Sequence, residues 1–240
     1  LIAFQDKEPI KVITGIRRCG KSSLLKLMQE HLLNSGVKQD QIIAINFESL
    51  EFQEMNYKEL YEYVKKKIPN TKRAYLFFDE LQRIERWENA INSFRVDFDC
   101  DIYITGSSSY LLSSEYSTYL SGRYVEIKMY PLSFKEFIDF HGYKLKEYKT
   151  PIGEKKKRAI NEKDEIVEVR DLFDAYMRYG GMPGIADVGL EQDQAMTLLD
   201  GVYSTVVVRD ILEREKRRGL RQITDAELLR KIILFLADNI

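Results

Sequence analysis

The chain has 240 residues, 44% of them hydrophobic, which suits one large domain, or a domain with a smaller appendage, able to bury a core. Its 37 Lys and Arg balance 38 Asp and Glu to a net charge of -1, which excludes a global field drawing it onto nucleic acid or membrane; any such binding would be local. Cys19 and Cys100 lack CxxC spacing and histidine companions, pointing to a reducing compartment without zinc, and the absence of a run of about 18 apolar residues or a signal-peptide pattern points to a cytoplasmic protein with no membrane partner.

In chain order, five apolar runs read as strands: "KVIT" at 11–14, "QIIAINF" at 41–47, "AYLFF" at 74–78, "DIYIT" at 101–105 and "YVEIKM" at 124–129. Several are apolar at consecutive positions, the pattern of parallel strands covered on both faces. Helical segments lie between them. In "YKELYEYVKKKI", Tyr57, Leu60, Tyr61, Val64 and Ile68 fall at helical spacing with the lysines opposite. Strand-helix alternation implies right-handed βαβ crossovers, an α/β fold with a five-stranded parallel sheet, and ligands at the carboxyl ends of the strands.

Beyond Pro131 the strand signal fades. "SFKEFIDF", "VEVRDLFDAYMRYGG", "EQDQAMTLLDGVYSTVVVRDILERE" and "DAELLRKIILFLADNI" read as helices, although the Val206-Val207-Val208 triplet argues against helix locally. Between Tyr143 and Glu168 charges crowd, with "EKKKR" at 154–158; a solvated loop is the plain reading and a nucleic-acid patch the alternative. Leu1 is not an initiator and the last helical pattern stops without a glycine or proline cap, so a fragment of a longer protein is expected.

The chemistry concentrates in "VITGIRRCGKSSLL". Gly15-x4-Gly20-Lys21-Ser22 fits the P-loop pattern and sits after a strand and before a helix. Glycine lets the backbone turn so that consecutive N–H groups face one anion, and the helix adds its positive end. Gly15, Ile16, Arg17, Arg18, Cys19, Gly20, Lys21, Ser22 and Ser23 are therefore the nucleotide-binding candidates, with Lys21 on the β- and γ-phosphates and Ser22 on Mg²⁺. Asp79, ending "AYLFFD", is the second magnesium candidate, and Glu80 is the candidate base that aligns a water on the γ-phosphate. That glutamate favours hydrolysis over transfer to a second substrate.

Hydroxyls of "TGSSS", namely Thr105, Ser107 and Ser108, are candidates to sense the γ-phosphate, with Ser107 placed in the catalytic set; capping a following helix is the alternative. Arg123 opens the fifth strand, at the end remote from the P-loop, so it would reach only a neighbouring copy's phosphates, as an arginine finger in a homo-oligomer. A surface ion pair is its alternative. Cys19 adjoins Gly20, and alkylation would block nucleotide binding if its thiol is accessible. Trp87 reads as a core anchor rather than a base reader.

"GIRRCGKSSLL", "FFDELQRIERWENAI", "ITGSSSYLLSSEYSTYLSGRY", "MYPLSFKEF" and "YMRYGGMPGIA", in that order, resemble the prokaryotic AAA+ type ATPases with a poorly understood C-terminal domain, kin to archaeal STAND-like and origin-recognition ATPases. The resemblance implies an ATPase core over 1–130, a helical lid over 131–222 and, over 223–240, the first helix of a truncated winged helix. It also implies ATP over GTP, and ATP/ADP with Mg²⁺ as ligands. Lys21, Ser22, Asp79 and Glu80 match that family's phosphate, magnesium and hydrolysis positions, "TGSSS" its sensor region, and Arg123 the arginine of its "LSGR" stretch. Such proteins continue with a winged helix and a further domain, so a DNA or protein partner would be met through a region beyond this chain. The expected function is an ATPase that switches an attached binding module. One alternative is a nucleotide-dependent nucleic-acid-binding module with little hydrolysis, using "EREKRRGLR" at 213–221; a phosphotransferase is another.

Overall fold

The computed structural model describes residues 1–69, 72–106, 120, 122–204 and 226–238. It divides into two compact units, Leu1–Tyr130 and Pro131–Ile240.

In the first unit, strands β1 (Ile10–Gly15), β2 (Ile42–Asn46), β3 (Ala74–Asp79), β4 (Cys100–Thr105) and β5 (Tyr124–Met129) form one sheet in the order β2-β3-β4-β1-β5. Every pairing is parallel. Alternate residues feed two cores. Ile13, Tyr75, Phe77 and Tyr103 pack with Leu25, Met28 and Leu32 of helix α1 (Lys21–Asn34). Val12, Leu76, Phe78 and Ile104 pack on the other face with Leu60 and Val64 of α2 (Tyr57–Lys67) and Ile91 and Phe94 of α3 (Trp87–Asp97). This two-sided burial is why the strands are apolar at consecutive positions. The start of α2 is set by a capping box in which Asn56 accepts from the Lys58 and Glu59 amides. Trp87 is 1% exposed and belongs to the second core.

One polar cluster interrupts the α1-side core at the amino ends of the strands. Lys11, fully buried, donates to Asp101 and, at 2.7 Å, to the Lys7 carbonyl. Asp101 also accepts from the Tyr103 hydroxyl and from the Asp6 amide, each at 2.8 Å. Burial and the adjacent carboxylate push the Tyr103 phenol far above its ordinary pKa. Asp6 in turn accepts from the Tyr75 hydroxyl at 2.9 Å.

The second unit differs from the helices alone that the sequence predicts. Helices α4 (Phe134–Phe140), α5 (Val169–Tyr179), α6 (Gln192–Tyr203) and α7 (Ala226–Asp238) are present, but β6 (Lys144–Lys149), β7 (Lys155–Ile160) and β8 (Ile166–Glu168) form an antiparallel sheet where a solvated loop is expected over 143–168. A purely helical lid is thereby corrected. Ala159 and Val167 anchor the sheet by packing with Ile138 of α4 and Leu172 of α5. The pattern reads as helix over "VEV", yet Val167 and Glu168 end the third strand before α5 begins. A Ser133–Glu136 capping box starts α4. Residues 206–208 and 213–221 lie outside the described residues.

The entry to this unit is closely held. The Leu132 amide donates to the Gly181 carbonyl at 2.6 Å, and the Tyr176 hydroxyl donates to the Leu132 carbonyl at 3.0 Å. A Cβ at Gly181 would lie 2.0 Å from the Leu132 oxygen, so only glycine fits.

Candidate nucleotide site

The loop from Gly15 to Gly20 joins the carboxyl end of β1 to α1. Gly15 has φ 151°, and a Cβ there would sit 2.5 Å from the Met129 carbonyl oxygen and 2.9 Å from Cys19 Sγ. The neighbouring strand β5 therefore dictates glycine at this position. Gly20, at φ 97°, precedes the first residue of α1, whose amino end has no side-chain cap. Its first-turn N–H groups consequently remain available to an anion. Lys21 is 5% exposed, and its ammonium donates to the carbonyls of Gly15 and Ile16 at 3.1 Å each, which holds a positive charge against the loop. Ser22 and Ser23 are exposed beside it, as are Ile16 and Arg18, while Arg17 and Gly20 are half-buried. Cys19 points inward at 2% exposure, and burial raises its thiol pKa. The accessibility on which its alkylation depends is thus lacking.

Asp79 ends β3 at 7% exposure. In the strand order β3-β4-β1 it lies two strands from the P-loop, a lateral separation of about 10 Å. Between them stands Thr105 at the end of β4, fully buried, whose hydroxyl donates to the Asp79 carboxylate and accepts from the Glu80 amide at 3.1 Å. A hydroxyl has one proton to give. Thr105 spends it on Asp79, so it positions the two acids rather than donating to a phosphate. Ser107 and Ser108 lie outside the described residues.

Glu80 takes a left-handed backbone conformation, φ 57°, as does Arg18 in the P-loop, φ 62°. Such conformations cost of order 1–3 kcal/mol outside glycine and gather where a surrounding structure enforces them. The Glu80 carboxylate accepts from Gln82 Nε2 at 2.5 Å, and Gln82 Oε1 is buried without a hydrogen-bond partner. Sequence reasoning missed Gln82, although its place two residues after the acid pair was visible. It also missed Asn46, which pairs in register with Asp79 at the end of β2.

Arg123 is exposed, and its carbonyl accepts from the Ile10 amide at 2.9 Å, at the amino end of β1. Five strand steps separate Ile10 from Gly15, about 17 Å, so Arg123 does not join the other residues at the P-loop. Among the described residues no three His, Cys, Asp or Glu side chains converge as a metal cluster. The residues present do fit a cation arriving with a phosphate ligand: one exposed hydroxyl, Ser22, and one nearly buried carboxylate, Asp79.

Residues 7–138 match the AAA domain family. The chain belongs to that family. Its first unit is an AAA-type, nucleotide-binding P-loop ATPase fold. This AAA chain is 38% identical over 244 residues to an uncharacterized protein of Haemophilus influenzae, covering 100% of the chain and 54% of the relative. It is 34% identical over 236 residues to an uncharacterized protein of Methanocaldococcus jannaschii, covering 96% and 47%. The chain thus spans about half the length of the curated relatives it matches. Among solved structures, it is similar to a DNA polymerase III gamma subunit-related protein of Thermotoga maritima, with TM-score 0.43 and 14% identity over 58% of this chain and 47% of that one. It is likewise similar to Cdc6p of Pyrobaculum aerophilum, with TM-score 0.40 and 12% identity over 58% and 44%. No helix among the described residues is long and apolar enough to cross a membrane.

Proposed function

We propose that this AAA chain binds ATP with Mg²⁺ and hydrolyses it to ADP and phosphate, and that nucleotide occupancy switches a DNA- or protein-binding module of a longer protein. The observation that carries the reading is the Thr105 hydroxyl, which ties Asp79 and the Glu80 backbone together beside a P-loop whose lysine is already drawn in. Gly15 to Ser23 bind the phosphates through backbone amides, with Lys21 countering the negative charge that develops on the transferring phosphoryl group. Ser22 and Asp79 would hold the magnesium, which neutralises phosphate oxygens when bound. Glu80 orients and deprotonates the attacking water. Arg123, too far from its own phosphates, would act on those of a second copy.

A second reading, nucleotide binding with little turnover, is favoured by the Gln82 hydrogen bond, which occupies the Glu80 carboxylate. Glu80→Gln separates the two. Under the first reading it leaves ATP affinity within about threefold and lowers turnover at least 100-fold, the usual worth of a general base. Turnover unchanged from wild type refutes the base assignment, and calorimetry detecting no affinity for ATP or GTP refutes the site.

A further inference from the structure

The β6–β8 sheet presents two chemically different faces. Cross-strand partners project to the same side, so the register sorts them without ambiguity. Leu145, Ala159 and Val167 share the face that packs on Ile138 and Leu172. On the opposite face lie Lys144, Lys146 and Tyr148 of β6 with Lys156, Arg158 and the buried Ile160 of β7, Lys144 being paired with Ile160, Lys146 with Arg158 and Tyr148 with Lys156. The three lysines are exposed, and the Arg158 guanidinium lies 5.2 Å from the Tyr148 ring centroid. Glu168, across from Arg158, is the acid that the third strand adds to this face.

Such a surface is costly to maintain as mere solvated exterior. Like charges on one sheet face repel, and lysines two apart on a strand sit only about 7 Å from one another. The opposite face carries Lys149, Lys155 and Lys157, the last lying 3.9 Å from Glu147, and no aromatic residue, whereas Lys144, Lys146, Lys156 and Arg158, of which Lys156 lies 3.6 Å from Glu154, share their face with the Tyr148 ring. Cations spaced along a strand, interleaved with an aromatic, suit a polyanion that also carries planar groups to stack. With the whole chain at a net charge of -1, this attraction is local to one face rather than a property of the molecule.

We infer that the Lys144–Lys146–Tyr148–Lys156–Arg158 face of this sheet is a docking surface for single-stranded nucleic acid, held through its phosphates with a base against Tyr148 and Arg158. The inference is independent of ATP hydrolysis. Four cations on four phosphates give a salt slope near -2.8 at about -0.7 per phosphate on a single strand, hence a loss of roughly 50-fold in affinity between 50 and 200 mM salt.

The test measures anisotropy of a labelled 20-nucleotide single strand with the 240-residue chain. Lys146→Gln with Lys156→Gln, both exposed, lowers the slope by about 1.4 and weakens binding at least tenfold at low salt. Lys149→Gln with Lys155→Gln removes the same charge from the opposite face and leaves affinity within about twofold. Equal losses from the two pairs, undetectable oligonucleotide binding, or binding only to vesicles of anionic lipid each overturn the proposal. Circular dichroism confirms that both variants fold, and a duplex arm weaker than the single strand distinguishes stacking on Tyr148 from backbone contact alone. A duplex bound as tightly as the single strand overturns the stacking assignment.

Discussion

Asp101 gathers donors from three parts of the first unit: the Lys11 ammonium, the Tyr103 hydroxyl and the Asp6 amide. Asp101 is 1% exposed and Lys11 fully buried. Asp101→Asn keeps an acceptor oxygen but strips the ammonium of its counter-charge in a medium that cannot replace it. Breaking one partner of a buried pair costs about 3–5 kcal/mol, and the retained acceptor places this variant near 3. For a unit of this size that lowers the melting temperature by roughly 10 °C. Lys11→Met with Asp101→Asn removes the stranded charge, and the double variant recovers about 2 kcal/mol relative to Asp101→Asn alone. Urea unfolding followed by tryptophan fluorescence reads this directly, since Trp87 lies in the same unit's core. Nucleotide affinity stays unchanged, because the pair sits at the amino ends of the strands. A single variant costing less than about 1 kcal/mol, or a double variant as unstable as the single, refutes the reasoning.

Three further outcomes are expected. Gly15→Ala drives a methyl group against the Met129 carbonyl at 2.5 Å; titration with a fluorescent nucleotide analogue shows at least tenfold weaker binding. Thr105→Val removes the hydroxyl between Asp79 and Glu80, lowering Mg-dependent ATP turnover 10- to 100-fold, as loss of an outer-shell partner does, while metal-free nucleotide binding holds within a few-fold. The Cys19 thiol, its pKa raised by burial, is protonated further into alkaline pH than a free thiol. Its thiolate fraction is therefore lower at pH 8, and because the thiol is also buried, iodoacetamide labels it more slowly than free cysteine.

Legibility tracked burial. β3 was visible because all six of its residues are buried, so each position had to be apolar except the acid at its end. β6 and β7 were not, because "KLKEYK" and "KKKRAI" keep mostly charged side chains in water and spend only Ala159 and Ile160 on burial. With so few apolar positions, a period of two has nothing to register against. Their turns were better signals: Pro151 and Gly153 close the first hairpin, where the Gly153 amide donates to the Thr150 carbonyl at 2.8 Å. Within the candidate site, the P-loop and acid pair were legible as residue types at fixed spacing. The commitment of Thr105 to Asp79 and the grip of Gln82 on Glu80 depend on side-chain directions across strands, which spacing alone does not carry.

The Leu132–Gly181 staple has a practical corollary for dissecting this protein. The peptide just past Tyr130 is mechanically part of the segment some fifty residues downstream, locked under a turn where no methyl group fits. A separately expressed second unit must keep Pro131 and Leu132. Clipping at Ser133 would uncover the Gly181 carbonyl and leave the Tyr176 hydroxyl without its acceptor.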